Sequence, residues 1–184
     1  ETSIRVLHVY RTYFPGQSGG VQEAIRQICL STSILGIKAK VFTLSPQPTP
    51  QKIDAIEATV VRCRSWAAPA SCDLGGLDAV MQFRALSNWA DVIHYHFPWP
   101  FADILRLFGA RNKPSVMTYH SDIVRQRYLG KIYGPLMRKT LQGMSAVVAT
   151  SPAYAATSPV LTQHVHAKNL KTIPLGILNY ASDI

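Results

Sequence analysis

Four stretches of this chain hold side chains or bare backbone that could do chemistry. His94 and His96 stand two residues apart, the spacing that sends both side chains of a strand to one face, and with His120 they raise a metal-binding reading. No carboxylate or cysteine joins them at a ligand spacing, so no metal is expected and the pair is read as packing or touching a substrate. His120-Ser121-Asp122 sets an imidazole, a hydroxyl and a carboxylate in succession. The trio could hold a polyhydroxy ligand, or Ser121 or Asp122 could cap a helix beside a structural histidine. Gly19-Gly20 offers bare amides that could approach a phosphate, or merely a turn. In the stiff apolar loop Phe97-Pro98-Trp99-Pro100-Phe101, Trp99 could stack on a ring, face lipid or anchor the loop.

The elements that must position these residues follow from hydrophobic patterning. Ile4 to Tyr10 is a β-rich apolar run ended by the turn formers Pro15 to Gly20, and apolar residues then recur at Val21, Ile25, Ile28 and Leu35 near a helical period. Strands are expected at 39–44, 59–62, 92–96, 115–119, 146–149 and 170–173, and helices at about 77–88, 101–108 and 131–142. Short helical turns should begin at Ser151-Pro152 and Ser158-Pro159. Nearly continuous apolar strands separated by helices predict an α/β, Rossmann-like parallel sheet with helices on both faces. Ligands of such sheets sit outside the carboxyl ends of the strands, which selects Arg11 to Gly20, Ser45-Pro46, His96 to Pro98, His120 to Asp122 and Thr150-Ser151.

Composition narrows the classes. With 184 residues, 47% of them hydrophobic, the chain is large enough for one packed domain, 1–184. It holds no apolar run long enough to span a bilayer. Cys29, Cys63 and Cys72 are odd in number and widely spaced, which suits free thiols in a reducing compartment. The net charge of +9 gathers late: after Ala110 there are nine basic against two acidic residues. Nucleic acid, an acidic membrane or a phosphorylated ligand would each answer that charge, but no nucleic-acid reader is present. Arg125, Arg127, Lys131, Arg138 and Lys139 accompany an apolar stripe of Ile132, Tyr133, Leu136, Met137 and Leu141, either a membrane-surface helix or a packed helix with a solvated basic face. A dinucleotide enzyme is disfavoured, because GxGxxG is lacking and Ser45-Pro46 stands where an acid would end the second strand. P-loop and GxSxG motifs are also lacking.

Taken together, Val6 to Tyr10 with Phe14-Pro15, Gly19-Gly20-Val21-Gln22-Glu23, Asp91 to His96, Thr118 to Asp122, Ala149 to Pro152 and Ile173 to Gly176 resemble the N-terminal half of family 4 retaining glycosyltransferases of the GT-B fold. The likeness is nearest to bacterial mannosyl- and rhamnosyltransferases of surface polysaccharide assembly. It implies an N-terminal acceptor-binding domain over 1–184, with the donor-binding domain outside this chain and the chain alone inactive. It further implies transfer of a hexose, with retention, from a nucleoside diphosphate sugar such as GDP-mannose to a growing, lipid-linked glycan. By that likeness Gly19 and Gly20 approach the donor diphosphate and His120 is the catalytic contact. Arg11, Tyr13, His96, Ser121 and Asp122 fall to the acceptor or sugar side. No metal and no cofactor are implied, and the place of work is the cytoplasm, with peripheral membrane contact through the basic second half. The rivals are a non-catalytic Rossmann-like module that binds a small anion, and an epimerase or phosphatase, which would need acid-base or metal carboxylates beyond Asp122.

Overall fold

Alternation of β-branched runs with amphipathic segments gives, in the computed structural model, a twisted sheet with helices packed against it; residues 3–121 and 127–176 are described. In chain order the elements are β1 (Arg5–Val9), α1 (Gly20–Ser33), β2 (Lys38–Ser45), β3 (Lys52–Asp54), β4 (Thr59–Ala67), a short 3-10 turn (Pro69–Ser71), β5 (Leu74–Gly75) and α2 (Leu77–Trp89). There follow β6 (Val92–Phe97), α3 (Pro100–Phe108), β7 (Ser115–Tyr119), α4 (Arg127–Gln142), β8 (Ala146–Ala149), α5 (Pro152–Thr157), α6 (Pro159–His164) and β9 (Leu170–Thr172).

The sheet order is β3-β4-β2-β1-β6-β7-β8-β9. Pairing is parallel from β4 through to β9, while the short strands β3 and β5 each run antiparallel to β4. From β1 the chain first builds toward β2 and β4, then returns through α2 to place β6 on the other flank of β1. Strand order therefore reverses between β1 and β6, which opens a crevice at their carboxyl ends.

The period-2 alternation of strand side chains divides the interior in two. Leu7, Val9, Ile93, Tyr95, Phe97, Met117 and Tyr119 point to one face, where α2, α3, α4, α5 and α6 cover them. The opposite face packs Tyr10, Val41 and Val60 under Ile25 and Cys29 of α1. Helices thus lie on both faces, but unevenly: among the described residues α1 alone supplies helical packing on its side. Leu35, expected on the apolar stripe of α1, lies past the helix end and is exposed. The three cysteines are free, two of them buried.

Candidate functional site

The alternation that fills the larger core with apolar residues also sends His8, His94 and His96 to the α1 face. In the register of the sheet His8 pairs with His94, and His96 pairs with Thr118. Each hydrogen bond between histidines climbs one further step along the strands. His8 Nδ1 meets His96 Nε2 at 3.1 Å, and His96 Nδ1 meets His120 Nε2 at 3.1 Å. His94 takes the same diagonal step, its Nε2 meeting Thr118 Oγ1 at 2.7 Å, and its ring stacks on that of His96 with centroids 4.3 Å apart. The result is a diagonal ladder of imidazoles, rising from the middle of β1 to the carboxyl edge of β7.

His8 and His96 are buried. Burial disfavours the imidazolium, bringing His8 and His120 down to about 4 and holding His94 and His96 well below the usual histidine value, where neighbouring imidazoles push the same way. All four rings are therefore neutral at pH 7. One ligand nitrogen from each of His8, His94 and His96 falls within 4.8 Å of the others, the grouping a metal would use. Neighbouring imidazoles and Thr118 already engage nitrogens of all three rings, and the group that converges takes in His8 where the sequence raised His120 beside His94 and His96.

At the same edge of the sheet α1 begins at Gly20, with Gly19 at its N-cap and no side chain capping it. Its first-turn amides and the positive end of its dipole suit an anion. The two glycines differ in what fixes them. A Cβ on Gly19 would lie 2.8 Å from Gln22 Oε1, and Gln22 is buried with its Nε2 donating to Thr12 Oγ1 at 2.8 Å, a tie between the loop after β1 and the start of α1. A Cβ on Gly20 would meet nothing within 4 Å, so the fold leaves open space there.

A cavity of about 800 Å3 lies across the carboxyl ends of β1, β2 and β4. Arg11 lines it, donating from Nη1 to Asp73 Oδ2 at 3.2 Å and to the Ser71 carbonyl at 3.0 Å. Tyr13 also borders it, but its ring is buried and its hydroxyl donates to Glu57 Oε1 at 3.0 Å, so it props the wall. Burial is the first cause holding the Tyr13 phenol above its ordinary value. His96, expected on the acceptor side, is buried against His120 and does not line this cavity. Ser121 is exposed at the end of β7, and Asp122 lies outside the described residues.

Sequence reasoning missed Trp66 and Asp73. β4 runs to Ala67, past the point where Arg62, Arg64 and Ser65 break its apolar run, and carries an exposed Trp66 to the rim with the Arg64 guanidinium 4.8 Å from its ring centroid. Asp73 is buried, accepting from Arg11 and from Ser65 Oγ at 3.0 Å. Trp99 takes the loop-anchoring role instead of a surface one: it is 1% exposed and its Nε1 donates to the Asp73 carbonyl at 2.8 Å.

Comparison with known proteins decides the family. The glycosyl transferase 4-like domain matches residues 19–176. The chain belongs to that family. This glycosyl transferase 4-like chain is 45% identical over 161 residues to the D-rhamnosyltransferase WbpZ of Pseudomonas aeruginosa, covering 88% of the chain and 42% of that relative. It is 37% identical over 174 residues to the O-antigen chain mannosyltransferase C of Escherichia coli, covering 95% of the chain and 46% of that relative. The chain thus spans about half the length of the curated relatives it matches. Among solved structures, it superposes on Anabaena HepE in complex with UDP and glucose with a TM-score of 0.62 at 14% identity, covering 95% of the chain and 45% of HepE. It superposes on the catalytic domain of starch synthase IV from Arabidopsis thaliana with a TM-score of 0.61 at 13% identity, covering 96% and 52%. The fold of the glycosyl transferase 4-like chain is the Rossmann-like one these glycosyltransferases of the GT-B class share.

Proposed function

We propose that the chain is the acceptor-binding half of a retaining hexosyltransferase that moves mannose or rhamnose from a nucleoside diphosphate sugar to a growing, lipid-linked glycan of lipopolysaccharide or capsule. The observation that carries this reading is the relatedness to both a D-rhamnosyltransferase and an O-antigen mannosyltransferase across nearly the whole chain. The site agrees with it. Departure of the nucleoside diphosphate builds negative charge, and the uncapped end of α1 at Gly19 and Gly20 offers amides and a positive dipole to that charge with no need of a metal. His120 stands two strands away on the same edge and orients the transferred sugar. Arg11, Ser121 and the rim at Trp66 take the acceptor. A small-anion-binding module is disfavoured by the catalytic relatives, and GDP-mannose is the first donor to try.

Work at a membrane surface is part of the proposal. No described helix is long and apolar enough to cross a membrane. On α3, Ile104, Leu107 and Phe108 are exposed, and Leu107 borders a cavity of about 340 Å3 walled by Arg106, Arg111, Lys113 and Lys139. Apolar side chains rimmed by cations suit the cytoplasmic leaflet, whose lipids carry negative charge. The transferase reading is tested by assaying the full-length parent protein for sugar transfer to lipid-linked glycan, with and without His120→Ala.

A further inference from the structure

The histidine ladder contains more rings than sugar binding calls for. His8 and His96 are buried and neither lines the cavity at the strand ends, so neither meets a ligand directly. What they share is a continuous hydrogen-bonded line to His120, from His8 Nδ1 to His96 Nε2 and from His96 Nδ1 to His120 Nε2.

A neutral imidazole has one N–H and one bare nitrogen, so a line of such rings can be polarised in only two directions. If His8 donates from Nδ1, then His96 accepts at Nε2, donates from Nδ1, and His120 accepts at Nε2. In the opposite direction His96 would donate from Nε2 to His8 Nδ1, and the proton of His8 would move to Nε2. The hydrogen bond His8 makes runs through Nδ1. In the first direction the leftover N–H stands on His120 at the open end of β7, where water or a sugar can accept from it, and not on the buried His8, which selects that direction.

We propose that His8 and His96 are positioning residues that fix His120 as the Nδ1–H tautomer, with its Nε2 lone pair occupied, so that His120 presents a hydrogen-bond donor to the sugar and has no free nitrogen with which to act as a base. The proposal rests on the transferase reading for its purpose but not for its geometry. His94 stands outside the line, its Nε2 held by Thr118, and serves as the stacking partner that keeps the His96 ring in its plane.

The test uses the full-length protein with 15N-labelled histidine, and long-range nitrogen-proton correlation spectra at neutral pH without substrate. The proposal expects His120 and His96 protonated at Nδ1 and bare at Nε2. His120 protonated at Nε2, or exchanging between the two forms, overturns it. His8→Leu removes the donor that polarises the line: His120 should become a mixture of tautomers, with kcat down about tenfold and the donor KM unchanged. His8→Asn, whose side-chain amide can donate from nearly the place of Nδ1, should restore both. A His8→Leu protein with the wild-type His120 signature and wild-type kcat contradicts the proposal. Should that variant not fold, the wild-type spectrum and His8→Asn decide. One equivalent of zinc retained by the wild-type protein also overturns it, because the metal would occupy nitrogens the ladder uses. Because the tautomer is read without substrate, failure of sugar transfer in the wild-type protein counts against the transferase reading alone, and a wrong tautomer against the ladder alone.

Discussion

His96 Nδ1 lies 3.1 Å from His120 Nε2, joining a ring buried in β6 to the ring at the open end of β7. The contact carries the influence of the sheet interior to the edge where the donor and acceptor should meet. It also makes His120 more than an isolated loop histidine. Replacing His120 by Ala in the full-length protein should lower kcat about 100-fold, the scale set by loss of one preorganised donor in a catalytic site. Initial rates with saturating donor and acceptor check this.

Gly20 and Gly19 separate ligand binding from folding. Gly20→Ala meets nothing in the fold and places a methyl group where the diphosphate should approach, so donor affinity should fall about tenfold while the thermal midpoint stays level. Gly19→Ala crowds Gln22 and strains its bond to Thr12, so it should lower the midpoint as well. Calorimetric titration with GDP-mannose, beside thermal melts of both variants, compares the two.

Trp66 and Arg11 report on the acceptor cavity. Trp66→Ala removes an exposed ring, so stability should hardly change, while the acceptor KM rises about fivefold and the donor KM does not move. Arg11→Ala should act the same way, with a stability loss added because it strands the buried Asp73 carboxylate. A donor KM that rises in either variant would argue that the cavity serves the donor.

Stability should depend on pH through two opposed sets of groups. The histidines are depressed from 6.5, His8 and His120 to about 4, so between those values the unfolded chain binds more protons and stability is lost as pH falls from 6.5 toward 4. Asp103 runs the other way. Burial among α3 and α4 raises its carboxyl from 3.8 to about 7, beside the Tyr133 hydroxyl that donates to it, so its ionisation erodes stability as pH climbs through that window. The histidines are the more numerous, and urea midpoints should rise from pH 4 to 6.5. Asp103→Asn should make the rise steeper.

Much of the fold was legible because nearly every long strand is a short apolar run bounded by turn residues; the expected strands at 115–119 and 146–149 match β7 and β8. The two-residue β5 and three-residue β3 carry too little pattern to be seen. β4 was cut short because Arg62 and Arg64 interrupt its apolar run, and with its end went Trp66. The strand-end rule selects His120, Gly19, Gly20 and Arg11, and the structure places all four at the carboxyl edge of the sheet. His8 could not be found that way. A single histidine within Ile4 to Tyr10 reads as core, and only the placement of β1 beside β6 sets it under His96. The same limit explains Tyr13, whose hydroxyl is taken by Glu57, a residue 44 positions away in sequence.

Membrane docking has its own signature. Full-length protein should bind vesicles containing anionic lipid and release from them in high salt, and Arg111→Glu with Lys113→Glu should abolish binding while leaving transfer to a water-soluble acceptor intact.

The central claim is tested most directly by transfer of labelled sugar from GDP-mannose, GDP-rhamnose and UDP-sugars by the full-length parent protein, with membranes that contain lipid-linked glycan. The account predicts transfer from one GDP-linked hexose, lost in His120→Ala. No transfer from any donor by the folded full-length protein, or undiminished transfer in His120→Ala, would contradict it.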